Sequence, residues 1–190
     1  MKFSAVILAG GKSSRMGRDK AFLETGGKTL LARQIETVRA VGATEVFISG
    51  RPCVDYSVFG CRVLLDRFPA TGPLAGIEAA LAVATNLLLL VLAVDLPDMT
   101  AEFLQRLRIL CPENAGVVPR VNGNIEPLAA FYPKAAHAAA GKMLAGQKCA
   151  AKDFATGCVL AGLATFIDRP AADAGFFKNC NCLADLPCPN

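Results

Sequence analysis

An α/β fold with a mostly parallel sheet is what this 190-residue sequence predicts, and three observations carry that reading. Short apolar runs alternate with helical periodicity without a break as far as Leu110, the pattern of parallel strands joined by crossover helices. Hydrophobic residues make up 53% of the chain and charged ones 19%, which suits strands buried on both faces and excludes a disordered chain. Glycine and proline punctuate the runs, at Gly10-Gly11, Gly42 and Gly72-Pro73. The length suits one domain.

The elements follow in order. Phe3–Ala9 is apolar and stopped by two glycines, which reads as a buried first strand. Leu31, Ile35, Val38 and Val41 then recur at helical spacing, and Gly42 supplies a C-terminal stop. Val46–Ile48 predicts a second strand and Arg62–Leu65 a third that ends at Asp66. Gly72-Pro73 opens a helix through Leu74, Ile77 and Leu81, proline being favoured in a first turn. Leu87–Val94 is a buried strand that ends at Asp95-Leu96-Pro97. Thr100 can cap the next helix, whose apolar face holds Phe103, Leu104, Leu107 and Leu110.

The second half is less regular. Ala115–Pro119 and Glu126–Tyr132 read as strands, with a hairpin-type Asn122-Gly123 turn between them. Pro133–Ala145 is Ala-rich and reads as helical, and Val159–Ile167 as a strand. The tail from Phe176 carries three cysteines and two late prolines and reads as partly irregular.

Composition narrows the function. Twenty basic residues against sixteen acidic ones give a formal +4, which suits a small anionic ligand at least as well as nucleic acid. A single histidine, His137, argues against a His-based zinc site or a Ser–His–Asp hydrolase. In its Ala-rich helix it reads as a surface or partly packed residue. The eight cysteines include no C-x-x-C pair and read as reduced, small hydrophobes. Cys180-x-Cys182 with Cys188 lacks a fourth ligand for a structural zinc. Phe3–Ala9 lacks the cleavage site of a signal peptide, and no apolar run can span about 30 Å as a helix. The expectation is a cytoplasmic protein with no membrane partner.

The segment Leu8-Ala9-Gly10-Gly11-Lys12-Ser13-Ser14-Arg15-Met16-Gly17-Arg18-Asp19-Lys20 is the most informative. It is no Walker A loop, because Val6 stands where the first glycine belongs, and it has no G-x-G-x-x-G pattern. It places two glycines just past a strand, where backbone N–H groups can approach phosphate. Four basic residues against one acid between positions 12 and 20 make a local +3. A cationic glycine turn on a buried strand points to phosphate binding. Asp66 and Asp95 both stand at the carboxyl ends of strands, where ligands collect in open α/β sheets. Alone, each could equally be a cap or loop residue.

This opening segment resembles the first motif of the molybdenum cofactor guanylyltransferases, within the wider group of nucleotidyltransferases. Gly72-Pro73-Leu74-Ala75-Gly76, Asp95-Leu96-Pro97, Glu126-Pro127-Leu128-Ala129-Ala130-Phe131-Tyr132 and Asn179-x-Asn181 resemble that family's later motifs in order. The resemblance implies a three-layer α/β/α, Rossmann-like fold of the nucleotide-diphospho-sugar transferase type. It implies one nucleotidyltransferase domain over 1–190, with a nucleotide-binding half at 1–110 and an acceptor-binding half at 111–190. The reaction implied joins GMP from GTP to the terminal phosphate of a molybdopterin-type cofactor, releasing pyrophosphate. Leu8, Ala9, Gly10, Gly11, Lys20, Gly50, Asp66 and Asp95 would bind the nucleotide. Lys20, Arg15 and Asp95 would be catalytic, Asp95 would hold Mg²⁺, and Asn179 and Asn181 would face the acceptor. Such chemistry needs no histidine, because a phosphate monoester is already anionic at neutral pH. Molybdenum-insertion proteins and molybdoenzyme chaperones would be its protein partners.

One departure stands out. The family often places an asparagine after the second strand, where this chain has Ile48-Ser49-Gly50-Arg51, so Ser49 or backbone amides would replace that contact and Arg51 reads as a solvated loop residue. The rival readings are a CTP-dependent enzyme on the same cofactor, a sugar-phosphate nucleotidyltransferase and a non-catalytic cofactor-binding accessory protein. Nucleic-acid binding is disfavoured by the absence of Trp, the count of only two Tyr and the clustering of basic residues in one loop.

Overall fold

The computed structural model describes residues 2–10, 20–68 and 71–180. β1 (Ser4–Leu8) is wholly buried and leads, after the loop, into a short hairpin of β2 (Glu24–Thr25) and β3 (Lys28–Thr29) that periodicity does not signal. Gly26 and Gly27 take the positive φ values of its turn. α1 (Leu30–Val41) starts where the Thr29 hydroxyl accepts the Ala32 N–H and ends at Gly42, whose φ of 98° closes the last turn. β4 (Glu45–Gly50) and β5 (Arg62–Leu65) follow, then α2 (Pro73–Val83), with proline at its start as expected. β6 (Leu88–Ala93) is buried throughout, and α3 (Ala101–Ile109) is capped by Thr100, which accepts the Phe103 N–H.

β7 (Gly116–Val121) turns through Asn122 and Gly123, both at positive φ, into β8 (Asn124–Ile125). β9 (Ala129–Pro133), α4 (His137–Ala145), α5 (Ala151–Leu160) and β10 (Ala164–Arg169) complete the set. Two expectations need correction. Pro133 ends a strand and a short 3₁₀ turn precedes α4, so the helix begins at His137. Val159–Ile167 is no single strand: it holds the end of α5, a turn at Gly162 with φ 71°, and most of β10. An apolar run has no periodicity to separate a helix end from a strand start.

The main sheet runs β10-β7-β9-β6-β1-β4-β5, with β8 added to β7. β1 is parallel to both β4 and β6, β4 to β5, and β7 to β10, whereas β9 runs antiparallel between β6 and β7. The Asn122-Gly123 turn reverses the chain, and β8 and β9 both run back antiparallel to β7. Alternation along each strand sorts the core into two layers. Ala5, Ile7, Leu90 and Leu92 face α1 and α3, while Val6, Leu8, Leu89 and Val91 face α2, α4 and α5. The chain leaves β1 toward β4 but reaches β6 on β1's other side, so a topological switch point lies at the carboxyl ends of β1 and β6.

The residues leading into the tail are fixed to the core. A 3₁₀ segment, Ala171–Phe177, is pinned by an Arg169–Asp173 ion pair at 2.8 Å. Phe176 and Phe177 pack on Phe103 with ring centroids 4.7 and 5.4 Å away. Residues 181–190 lie outside the described residues. Six cysteines among the described residues are free; Cys158 and Cys180 are buried, while Cys53 is exposed.

Candidate active site

Register brings the strand ends together. Leu8 lies opposite Ser49 of β4 on one side and Ala93 of β6 on the other, so Ala9, Gly50 and Val94-Asp95 emerge at one sheet edge. Beyond the strand the main chain stays clamped: Ala9 N–H donates to Ser49 O at 2.9 Å, and Val94 N–H to Leu8 O at 3.2 Å. A cavity of about 770 Å³ opens there. It is lined by Leu8, Ala9, Gly10, Lys20, Ser49, Gly50, Arg51, Pro52, Leu65, Asp66, Gly72, Pro73, Ala93, Val94, Asp95 and Leu128. Lys20, Gly50, Asp66 and Asp95 thus share one cavity with the turn after β1. Gly11 and Arg15 lie outside the described residues.

Two glycines hold this geometry. A Cβ on Gly50 would stand 2.5 Å from Tyr56 Cε2, so only glycine lets the buried Tyr56 ring close against the end of β4. A Cβ on Gly76 would stand 2.2 Å from Ser49 Oγ, so glycine lets α2 approach the same strand. Ser49 then donates a long hydrogen bond, 3.4 Å, to Asp66 Oδ1. Burial raises the Asp66 carboxyl above the ordinary Asp range, and the Ser49 bond offsets part of that rise.

Asp95 and Lys20 meet across the cavity, with Nζ 3.4 Å from Oδ2 and each side chain about one-quarter exposed or less. The Asp95 turn is held from two sides. Gln34 Nε2 of α1 donates to Leu96 O at 2.6 Å, and Cys180 N–H of the tail donates to Asp95 O at 2.8 Å. Gln34 is buried, and its Oε1 has no hydrogen-bond partner among the described residues. Arg51, expected as a solvated loop residue, is partly buried and lines the cavity. His137 is half-exposed, as expected, with Nε2 3.0 Å from Oε1 of the buried Glu78 on α2, far in sequence from the strand-end residues.

A second cavity of about 610 Å³ adjoins the first, sharing Ala93 and Leu128 with it. Leu96, Glu126, Pro127, Ala129, Ala150, Ala151, Lys152, Asp153, Phe177 and Asn179 complete its lining. Asn179 therefore stands beside this cavity and not the first; Asn181 lies outside the described residues. Sequence reasoning missed Lys152 and gave Glu126 no role. Glu126 carried a signal, as the first residue of the Glu126–Tyr132 segment; Lys152, on an unanticipated helix, carried none.

In chemical terms, one cavity offers backbone and a cation to phosphates, and one carboxylate to a hard cation. Among the described residues no three His, Cys, Asp or Glu side chains cluster to hold a metal. That donor set fits Mg²⁺, which takes one or two carboxylates and completes its shell with phosphate oxygens and water. No helix among the described residues is long and apolar enough to cross a membrane.

Comparison with known proteins agrees with this arrangement. Residues 5–157 match the MobA-like NTP transferase domain. A protein of Opitutus terrae named "Probable molybdenum cofactor guanylyltransferase" is 43% identical over 144 residues, covering 74% of this chain and 71% of that protein. The molybdenum cofactor guanylyltransferase of Pseudomonas putida is 35% identical over 136 residues, covering 69% and 70%. The solved structure of molybdopterin-guanine dinucleotide biosynthesis protein A from Archaeoglobus fulgidus superposes with a TM-score of 0.71 at 21% identity, covering 96% of this chain and 94% of that one.

Proposed function

This chain belongs to the MobA-like NTP transferase family, and we propose on that premise that it is a molybdenum cofactor guanylyltransferase. It transfers GMP from GTP to the terminal phosphate of a molybdopterin-type cofactor. The observation that carries the reading is the pair of adjoining cavities, with Lys20 and Asp95 lining the first and the shared wall of Ala93 and Leu128 between them. Two large anionic substrates between which a nucleotidyl group must pass need such a junction.

The triphosphate lies over the turn after β1, contacted by Leu8, Ala9, Gly10 and Gly11, with Lys20 and Arg15 balancing its charge. Gly50 and Asp66 line the nucleoside end. An oxygen of the acceptor's terminal phosphate forms the new bond to the α-phosphorus. The bond from that phosphorus to the bridging oxygen breaks, and pyrophosphate leaves with its electron pair. No base is required, because the attacking phosphate is already anionic. The chain's work is positioning and charge neutralisation. Mg²⁺ held by Asp95, when bound, would supply further neutralisation of the phosphates. The division into halves follows the same line: the first cavity draws all but Leu128 from residues before 110, and the second draws all but Ala93 and Leu96 from residues after it. Asn179 and Asn181 then serve the acceptor.

The test offers each nucleoside triphosphate with Mg²⁺ and molybdenum-loaded molybdopterin, and identifies the product. The expected product is the guanine dinucleotide with one pyrophosphate per turnover. Product from CTP and not GTP would overturn the choice of base. A sugar nucleotide from a sugar phosphate, with no dinucleotide cofactor, would overturn the choice of acceptor.

A further inference from the structure

The second cavity contains a carboxylate that the phosphoryl chemistry does not use. Glu126 is half-buried and lines this cavity, and its carboxylate has neither a hydrogen bond nor an ion pair among the described residues. Its backbone is firmly placed. Glu126 N–H donates to Pro119 O at 3.0 Å, the buried Tyr132 hydroxyl donates to Pro127 O at 3.0 Å, and Leu128 O accepts Ala93 N–H at 2.8 Å. Three successive residues are thus tied to β7, β9 and β6. Burial raises the Glu126 carboxyl above the ordinary Glu range, and the charge of Lys152 draws it back.

A half-buried carboxylate without protein donors is open to a ligand that supplies them. An acceptor whose reactive end is a phosphate cannot supply them at that end, since two anions would repel. They must come from a part of the acceptor that presents N–H groups. A pterin has such a part: its 2-amino-4-oxopyrimidine ring carries a ring N–H and an amino group side by side, which a carboxylate accepts with two parallel bonds. Phe177, Leu96, Pro127 and Leu128 line the same cavity and can cover the faces of a flat ring.

We propose that Glu126 reads the amino-pyrimidinone edge of the acceptor, which fixes the pterin in the second cavity while the acceptor's phosphate reaches the junction with the first. This rests on the acceptor reading given above. Guanine presents the same donor edge, and the position of Glu126 outside the first cavity assigns it to the acceptor.

Two measurements on the full chain test this with wild type, Glu126→Gln and Glu126→Asp. Steady-state kinetics vary GTP and molybdopterin separately. Calorimetric titration of molybdopterin alone gives its dissociation constant. Glu126→Gln keeps the shape and turns one acceptor atom into a donor. It should raise both the acceptor KM and the titrated dissociation constant about ten- to a hundredfold, with the GTP KM unchanged; Glu126→Asp should recover part of the loss. Unchanged acceptor affinity in an active Glu126→Gln overturns the proposal. A rise confined to the GTP KM also overturns it, because the edge read would be that of guanine. If wild type binds molybdopterin through Glu126 yet forms no dinucleotide, the site stands and the proposed reaction falls.

Discussion

The two cavities adjoin yet are built differently. The first stands on four strand ends brought level by parallel register, with Gly50 and Gly76 where β4 meets Tyr56 and α2. The second gathers residues distant in sequence, from the link after β8, the first turn of α5 and residues 177–179. Level strand ends suit a triphosphate, whose oxygens are alike and need only amides and charge. Residues gathered from separate elements suit a ring whose donors and acceptors must be told apart. Damage to the first should therefore appear as lost turnover or lost GTP binding, and damage to the second as lost acceptor affinity.

The largest expected effect comes from Asp95→Ala. The side chain is one-quarter exposed and its turn is held through backbone carbonyls, so the fold should survive. Turnover should fall by at least about a hundredfold, the scale of losing one preorganised charged group. Measured kcat beside an unchanged melting midpoint would support the assignment. Full activity would remove Asp95 from the chemistry and with it the contrast between the cavities.

Gly50→Ala sharpens the comparison from the structural side. The new methyl would meet Tyr56 Cε2 at 2.5 Å and Val63 Cγ1 at 3.1 Å, so the Tyr56 ring must shift and loosen its stack on Phe22. Overpacking of this kind costs about 1–3 kcal/mol. Denaturant titration should show that loss, and the GTP KM should rise while the acceptor KM holds. An equal rise in both would mean that the cavities do not act separately.

The same difference explains what could be read from the sequence. β1, α1, β5, α2, β6 and α3 announce themselves because each begins or ends on a local signal, such as Gly42 at positive φ after α1, and Gly72-Pro73 and Thr100 before α2 and α3. Asp66 and Asp95 are legible for the same reason, since a residue just past a buried parallel strand must stand at the ligand edge. α5 has no such signal. No side chain caps it at Ala150, Gly157 interrupts its interior, and its apolar end runs on into β10. Lys152 was invisible because its helix was. Glu126 lies in a recognisable segment, yet its place opposite α5 depends on β9 entering the sheet beside β6, a non-local pairing that no spacing encodes.

The smallest effect divides stability from function in both cavities at once. Asp66 and Glu126 each have a carboxyl that burial raises above its ordinary value. The folded state holds each proton to higher pH than the unfolded state, so stability falls as pH rises through that window. At neutral pH both groups therefore cost stability, and below the ordinary carboxylate range neither does. Asp66→Asn and Glu126→Gln should each raise the melting midpoint at neutral pH by a small amount that vanishes on acidification. Asp66→Asn should do so while weakening GTP binding, and Glu126→Gln while weakening acceptor binding. Ser49 already offsets part of the rise at Asp66 by hydrogen bonding, as the charge of Lys152 does at Glu126. Because a hydrogen bond is screened less by salt than a separated charge pair, the Glu126→Gln gain should grow with ionic strength more than the Asp66→Asn gain. Melting curves at low and high salt across the acid range would read both trends. A midpoint that falls at neutral pH in either variant would mean that its carboxylate holds the fold, and would leave that cavity's carboxylate structural and not a ligand group.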